Sequence, residues 1–443
     1  MEKKILPEIL TPPPGEKAKK MIEESEKLLI TATRYLPLAV KTTKNAVVED
    51  VDGNKYIDFT ASVSVSNIGH CNPRVGKVIK EQVDKLVNFA GQDFYNEAQL
   101  NLAKLLADIT PGSFPKKTFF SNSGTGAVEC AIKLASWKTK NSTFISFIGG
   151  FHGRTLGALS MTGSKPIQRK NFFPFLQYTV HVPYAYCYRC VFNLEYPDCG
   201  LACVDYIEEW CFRTFLPPEN VAGLMVEPIQ GESGYIVPPD GWLKEVKNLC
   251  EKYGIPFVAD EVQSGFCRTG KMFCCEHWDV KPDIICLAKS IANGFPLGAT
   301  VTKSDLDFTE TGAHSNTFGG NVLACTAALE TINIMLEEKV AERAEKQGKN
   351  VLKRLYEMAE EHTLIGDIRG KGLMIGVELV KDRKTKAPAR GKRTKAIQTA
   401  FKKGLILLPA GYSSIRIAPP LTIEEELLEK GLEILDETLK SLK

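Results

Sequence analysis

Asp283-Ile284-Ile285-Cys286-Leu287-Ala288-Lys289-Ser290-Ile291-Ala292-Asn293-Gly294 is the stretch on which the fold of this chain turns. The apolar run from Asp283 to Ala288 has no polar alternation, so it reads as a strand covered on both faces, as in a parallel sheet. It ends on a lysine. Small residues and Gly294 surround that lysine, which lets a bulky partner come close. A lysine leaving the carboxyl end of a buried strand is well placed to form a Schiff base. Taken alone, though, a lysine is more often a solvated surface charge.

Three other segments bear on that choice. Ile255-Pro256-Phe257-Val258-Ala259-Asp260-Glu261-Val262-Gln263 is a second apolar strand, ending in Asp260 at the edge where open α/β sheets bind ligands. Pyridoxal phosphate chemistry needs a carboxylate there to keep the ring nitrogen protonated. A strand-ending Asp also caps the segment that follows it, and both readings stand. Ser121-Asn122-Ser123-Gly124-Thr125-Gly126 follows the strand-like Lys117-Thr118-Phe119-Phe120 and opens a helical pattern from Ala127 to Trp137. Free N–H groups at such a helix start, flanked by hydroxyls, suit a phosphate. The segment lacks the lysine of a P-loop and the spacing of a dinucleotide fingerprint, and a Ser/Gly turn before a helix is commonly only a cap. Gly149-Gly150-Phe151-His152-Gly153-Arg154-Thr155 follows the strand Thr143 to Ile148. Phe151 suits stacking on a planar ring, and Arg154 suits bidentate binding of a carboxylate. In isolation, a core Phe and a surface Arg describe it as well.

Together these segments resemble the class III (ω-amino acid) aminotransferases of the fold-type I pyridoxal-phosphate superfamily. The resemblance runs from about Pro12 to the end of the chain. It takes in Asp52-Gly53-Asn54-Lys55-Tyr56-Ile57-Asp58-Phe59, Gly69-His70, Glu227-Pro228-Ile229-Gln230-Gly231-Glu232, His314-Ser315-Asn316-Thr317-Phe318-Gly319-Gly320-Asn321 and Arg369-Gly370-Lys371-Gly372-Leu373-Met374. The nearest kinds are archaeal 4-aminobutyrate-type enzymes and related broad-specificity amino-acid racemases.

The resemblance implies residue roles. Lys289 corresponds to the lysine that carries pyridoxal 5'-phosphate and moves the substrate proton, and Asp260 to the ring-nitrogen partner. Val262 and Phe151 correspond to the residues enclosing the ring, Gln263 to the partner of its hydroxyl. Ser123, Gly124 and Thr125 correspond to the phosphate cup. Thr317 corresponds to a residue reaching the neighbouring subunit's phosphate, which implies a homodimer or higher oligomer with shared sites. Arg154 corresponds to a carboxylate-binding arginine, and Arg416 to a second arginine paired with Glu232. In relatives that pair is a switch: the glutamate neutralises the arginine for an ω-amino donor and swings away for 2-oxoglutarate or glutamate. An unpaired buried arginine is costly, so the arrangement has a physical logic. A structural ion pair is the plainer alternative. Val63 stands where ornithine aminotransferases have a tyrosine and argues against ornithine as the main donor.

The expected activity is transfer of the amino group of an ω-amino acid, above all 4-aminobutyrate, to 2-oxoglutarate. A racemase or epimerase on the same scaffold is the alternative, as are acetylornithine, ornithine or lysine aminotransferases. No metal is assigned to the site. A cofactor-free binding protein would be expected to lack Lys289 or Asp260, and both are present.

Composition agrees with a metabolic enzyme. The 443 residues are 44% apolar and 25% charged, enough for a large core and more than one domain. Fifty-six basic against 53 acidic residues leave +3, which argues against nucleic-acid or anionic-membrane partners. No apolar run reaches the roughly 20 residues that span a bilayer. The start, Met1-Glu2-Lys3-Lys4-Ile5-Leu6-Pro7, lacks the apolar core of a signal peptide, so a cytoplasmic location is expected. Of thirteen cysteines, Cys187, Cys190, Cys199 and Cys203 form a group spaced C-x₂-C-x₈-C-x₃-C. Free thiols, two disulfides and a metal site all remain open for it.

The expected architecture is α/β. A helix covers Glu16 to Leu29, and strands follow near Ala46–Val48 and Lys55–Ile57. Alternating helices and apolar strands from about 71 to 320 indicate a mostly parallel sheet covered on both faces. One long helix is expected from Val322 through Lys349. An α+β part follows, with strands at Gly372–Glu378 and Ile415–Ile417. The basic run from Lys381 to Lys395 reads as a solvated loop and helix start. The resemblance implies a seven-stranded sheet in a large cofactor-binding domain, 71–320. A small domain would be shared between 1–70 and 321–443.

Overall fold

Seven strands form the central sheet, in the order Lys116–Ser121, Gly298–Lys303, Ile284–Leu287, Phe257–Asp260, Val221–Val226, Thr143–Phe147, Tyr178–Val182. All run the same way except Gly298–Lys303, which is antiparallel to both neighbours. Val221–Val226, Phe257–Asp260 and Ile284–Leu287 are buried along their whole lengths. That is why their sequences carry no polar alternation. The computed structural model describes residues 6–175 and 178–442; most of the chain start from which a leader was judged missing, Met1–Ile5, lies outside them.

Helices cover the sheet. Gly124–Thr139 packs on it through a face of small residues, with Ala127, Ala131 and Ala135 buried. Trp242–Tyr253 buries Trp242, Leu243, Val246, Leu249 and Cys250, and Gly254 in the left-handed region ends it. Buried side chains of this size hold the core together by about 1.5–3 kcal/mol each.

The chain ends meet. Lys55–Asp58 pairs in parallel with Leu405–Ile406, and the Phe59 N–H donates to the Ile406 carbonyl at 3.1 Å. That pairing completes a sheet with Val40–Lys44 and Val47–Asp50. A further sheet carries Ile365–Lys371, Met374–Asp382, Ser414–Ile417 and Leu408–Ala410. It delivers Arg416 to its place.

The structure corrects one expectation. The long helix from Val322 is two helices, Val322–Glu337 and Val340–Glu361, separated by Lys339 at φ 50. The reason is a change of pattern. Leu336 to Lys339 are all exposed, so no apolar stripe crosses the junction. The first helix is buried on several sides; the second buries one face through Val340, Ala344, Val351, Leu355 and Met358. Among the described residues no helix is long and apolar enough to cross a membrane.

Candidate active site

A cavity of about 440 Å³ opens at the carboxyl ends of the parallel strands. Its size falls within the range of ordinary ligand pockets. Ser123, Gly124, Thr125, Phe151, Arg154, Asp260, Val262, Gln263 and Lys289 all line it, so nine of the residues singled out in the sequence come together in one place.

Lys289 follows the strand Ile284–Leu287 and has φ 50, an uncommon conformation for a lysine. It starts a short 3₁₀ turn, Lys289–Ala292. Burial pushes its amine down to about 8; Arg416 adds to that, while Asp260 and Glu227 oppose it. A lysine poised near neutrality can serve as a nucleophile and as a proton carrier.

Asp260 is 4% exposed. One carboxylate oxygen accepts the Val262 N–H at 3.1 Å, so the capping reading of this residue holds. The other lies 2.7 Å from His152 Nδ1. Sequence reasoning gave His152 no role, although it sits beside Phe151 in the quoted segment. Burial disfavours its charge, but the bond to Asp260 outweighs that and holds the imidazole above its usual range. Glu227, also without a role in the sequence reading, lies beneath. It accepts the Phe151 N–H at 2.8 Å and the Gly231 N–H at 2.9 Å, and so fixes the loop that carries Phe151. Burial pushes Glu227 up to about 7; His152 works against this and Asp260 with it.

The helix Gly124–Thr139 begins at Ser123, whose hydroxyl accepts the Gly126 N–H at 3.2 Å. A cap and a free N-terminus therefore coexist. A Cβ on Gly124 would sit 2.7 Å from Val262 Cγ1, so this position requires glycine for close approach. Thr125 Oγ1 is 2.7 Å from Thr155 Oγ1, and Glu129 accepts from Thr155. Gln263 Oε1 is buried without a partner. The Arg154 guanidinium lies 5.4 Å from the centre of the Phe151 ring.

The remaining residues are placed differently. Arg416 is 4% exposed, and its Nη1 lies 3.3 Å from Glu232 Oε2. Arg416 Nε and Nη1 have no hydrogen-bond partner. Lys165 contacts the other oxygen of Glu232 and was not foreseen. Burial would raise Glu232, but Arg416 and Lys165 together hold it below the usual carboxylate range. Val63 is 37% exposed and does not line the cavity; Val65 does. Val63 lies in a left-handed turn, Ala61 to Ser64, where every residue has positive φ. Such a turn costs roughly 1–2 kcal/mol per residue. Thr317 is exposed and outside the lining of its own chain's cavity. Cys187, Cys190, Cys199 and Cys203 are unbridged and border a separate cavity of about 20 Å³.

Residues 30–439 match the family model described as aminotransferase class-III. The chain is 41% identical to the leucine/methionine racemase of Thermococcus litoralis, covering 95% of each protein. It is 38% identical to a probable 4-aminobutyrate aminotransferase of Bacillus subtilis, covering 91% of this chain and 93% of that one. Among solved structures it is similar to the taurine:2-oxoglutarate aminotransferase of Bifidobacterium kashiwanohense in complex with PLP and glutamate. The TM-score is 0.89 at 28% identity, over 96% of this chain and 98% of that one.

Proposed function

The chain belongs to the class-III aminotransferase family of pyridoxal-phosphate-dependent enzymes, and on that premise we propose that it moves the amino group of an ω-amino acid to 2-oxoglutarate by a ping-pong cycle. The proposed donor is 4-aminobutyrate. The observation that carries this reading is the pairing of buried Arg416 with half-buried Glu232 beside a cavity that already holds Arg154 and Lys289. Two arginines, one of them neutralisable, suit a site that must take a monocarboxylic ω-amine and a dicarboxylic acceptor in turn.

The residues present fit the cofactor. Gln263 Oε1 is a buried acceptor without a partner, and Ser123, Gly124 and Thr125 line the cavity at a helix start. Ser123, Gly124 and Thr125 would hold the phosphate at a helix start. Val262 and Phe151 would enclose the ring, with Gln263 beside its hydroxyl and Asp260 at its nitrogen. When bound, pyridoxal 5'-phosphate supplies an electrophilic aldehyde and an electron-withdrawing ring.

The chain's own residues do the rest. Lys289, with its amine near 8, is neutral often enough at physiological pH to take and return the proton at the substrate carbon. His152 shares its Nδ1 proton with Asp260 and fixes the orientation of that carboxylate. Arg154 binds the distal carboxylate. Arg416 binds the α-carboxylate of the acceptor once Glu232 yields. Thr317, exposed on this chain, would serve the neighbouring subunit of a homodimer.

A second reading is a racemase or epimerase of α-amino acids. One observation favours it: Glu232 is shared with Lys165, so Arg416 keeps unpartnered N–H groups suited to an α-carboxylate. A half-reaction screen of the cofactor-loaded enzyme without acceptor decides between them. Loss of the cofactor's visible band with 4-aminobutyrate, acetylornithine, ornithine or lysine supports transamination and names the donor. Inversion of an L- or D-amino acid with little loss of the band overturns it in favour of racemisation.

A further inference from the structure

Glu232 stands between two cations. Lys165 contacts one carboxylate oxygen, and Arg416 Nη1 lies 3.3 Å from the other. The division is unequal. Lys165 makes a direct hydrogen bond, whereas Arg416 meets Glu232 as an ion pair only, and its buried Nε and Nη1 make no hydrogen bond. Native proteins rarely leave such groups orphaned, because an unmade hydrogen bond in a dry site is expensive. The three side chains together carry one net positive charge, which a single bound carboxylate cancels.

Lys165 is held in place by the active-site loop. Two residues before it stands Gly163, whose N–H donates to the Gly150 carbonyl at 2.8 Å and whose carbonyl accepts from Gly149 at 3.1 Å. Those two glycines lead directly into Phe151. The lysine's position is therefore tied to the segment that lines the cavity, not to a free surface loop.

We propose that Lys165 is a positioning residue: it draws Glu232 off Arg416 and so keeps the arginine open for an α-carboxylate. This deepens the function proposed above and rests on it. Moving the half-buried glutamate off Arg416 costs little when a second cation already holds it. Without Lys165, Glu232 and Arg416 neutralise each other, and an incoming carboxylate meets a site with no net positive charge. The consequence falls on the acceptor: Lys165 keeps Arg416 ready for the α-carboxylate of a 2-oxo acid, in the half of the cycle where Glu232 must yield.

The test is equilibrium binding of glutarate, an unreactive five-carbon dicarboxylate, to the cofactor-loaded enzyme by calorimetry. Lys165→Met should weaken glutarate about tenfold, a typical coupling between charged sites, and Lys165→Arg should restore it. Lys165→Met combined with Glu232→Gln should regain most of the affinity, because Arg416 is then free without help. Glu232→Gln alone should bind glutarate at least as tightly as the parent, which tests the idea without touching the loop. An unchanged affinity in Lys165→Met overturns the proposal. So does a double variant as weak as Lys165→Met, which would mean that Lys165 grips the ligand itself. If the glutarate pattern holds while the parent enzyme fails to convert 2-oxoglutarate, the aminotransferase reading fails and the role of Lys165 stands.

Discussion

His152 Nδ1 lies 2.7 Å from Asp260 Oδ2, and both side chains are buried in the lining of the cavity. The pair fixes the carboxylate proposed above as the partner of the cofactor's ring nitrogen. Replacing His152 by Asn removes that support and leaves the carboxylate held by the Val262 N–H alone. Turnover should fall by roughly 10–100-fold, as for other losses of a group that orients a reacting one. Stopped-flow measurement of the donor half-reaction checks this.

The same pair gives a pH dependence. The imidazole is held above its ordinary value of about 6.5. Its stabilisation is complete below about 6.5 and is lost as pH rises through the raised value. The melting temperature of the cofactor-free parent should therefore fall on the alkaline side relative to His152→Asn. Parallel curves for the two proteins across pH 6–9 would refute the assignment.

Lys289 works in the opposite direction. Its amine is pushed down to about 8, so the buried charge costs stability below that pH and the cost fades as pH climbs towards the ordinary lysine range. Lys289→Met should abolish turnover. It should also stabilise the cofactor-free protein at pH 7 by roughly 1–3 kcal/mol. Denaturant titrations at pH 7 and pH 10 should show the gain at the first and little at the second.

Gly124 and Val262 touch closely enough to be tested as a unit. A methyl at Gly124 would lie 2.7 Å from Val262 Cγ1. Gly124→Ala should cost about 1–3 kcal/mol by overpacking and weaken cofactor retention. Val262→Ala in the same chain should recover part of the stability. Thermal melts of the single and double variants decide whether the strain is this contact.

Arg416→Ala should damage use of 2-oxoglutarate far more than use of a monocarboxylic 2-oxo acid such as pyruvate. Loss of one partner from a buried charge pair costs about 2–5 kcal/mol. Much of that should appear in KM for the dicarboxylate. Equal losses with both acceptors would remove Arg416 from acceptor binding.

The strands Val221–Val226, Phe257–Asp260 and Ile284–Leu287 were legible because they are buried on both faces, which an unbroken apolar run declares in one dimension. Lys289 and Asp260 stood out because each follows or ends such a run, and both line the cavity at the carboxyl ends of the strands. The helix junction at Lys339 was not, since neither a glycine nor a proline marks it. Lys165 was missed for a related reason: nothing near it in sequence distinguishes it from a surface lysine, and its partner is 67 residues away.

What the sequence by itself determined was the α/β class, the positions of Asp260 and Lys289 at strand ends and nine of the residues lining one cavity. Periodicity and strand ends are local properties, and local properties survive in a linear string. The partnerships were decided only by the tertiary structure: His152 with Asp260, Glu227 under the Phe151 loop, and Glu232 between Lys165 and Arg416. Each joins groups far apart in the chain. Its strength depends on burial and on distances of a few ångströms, which exist only once the chain has folded.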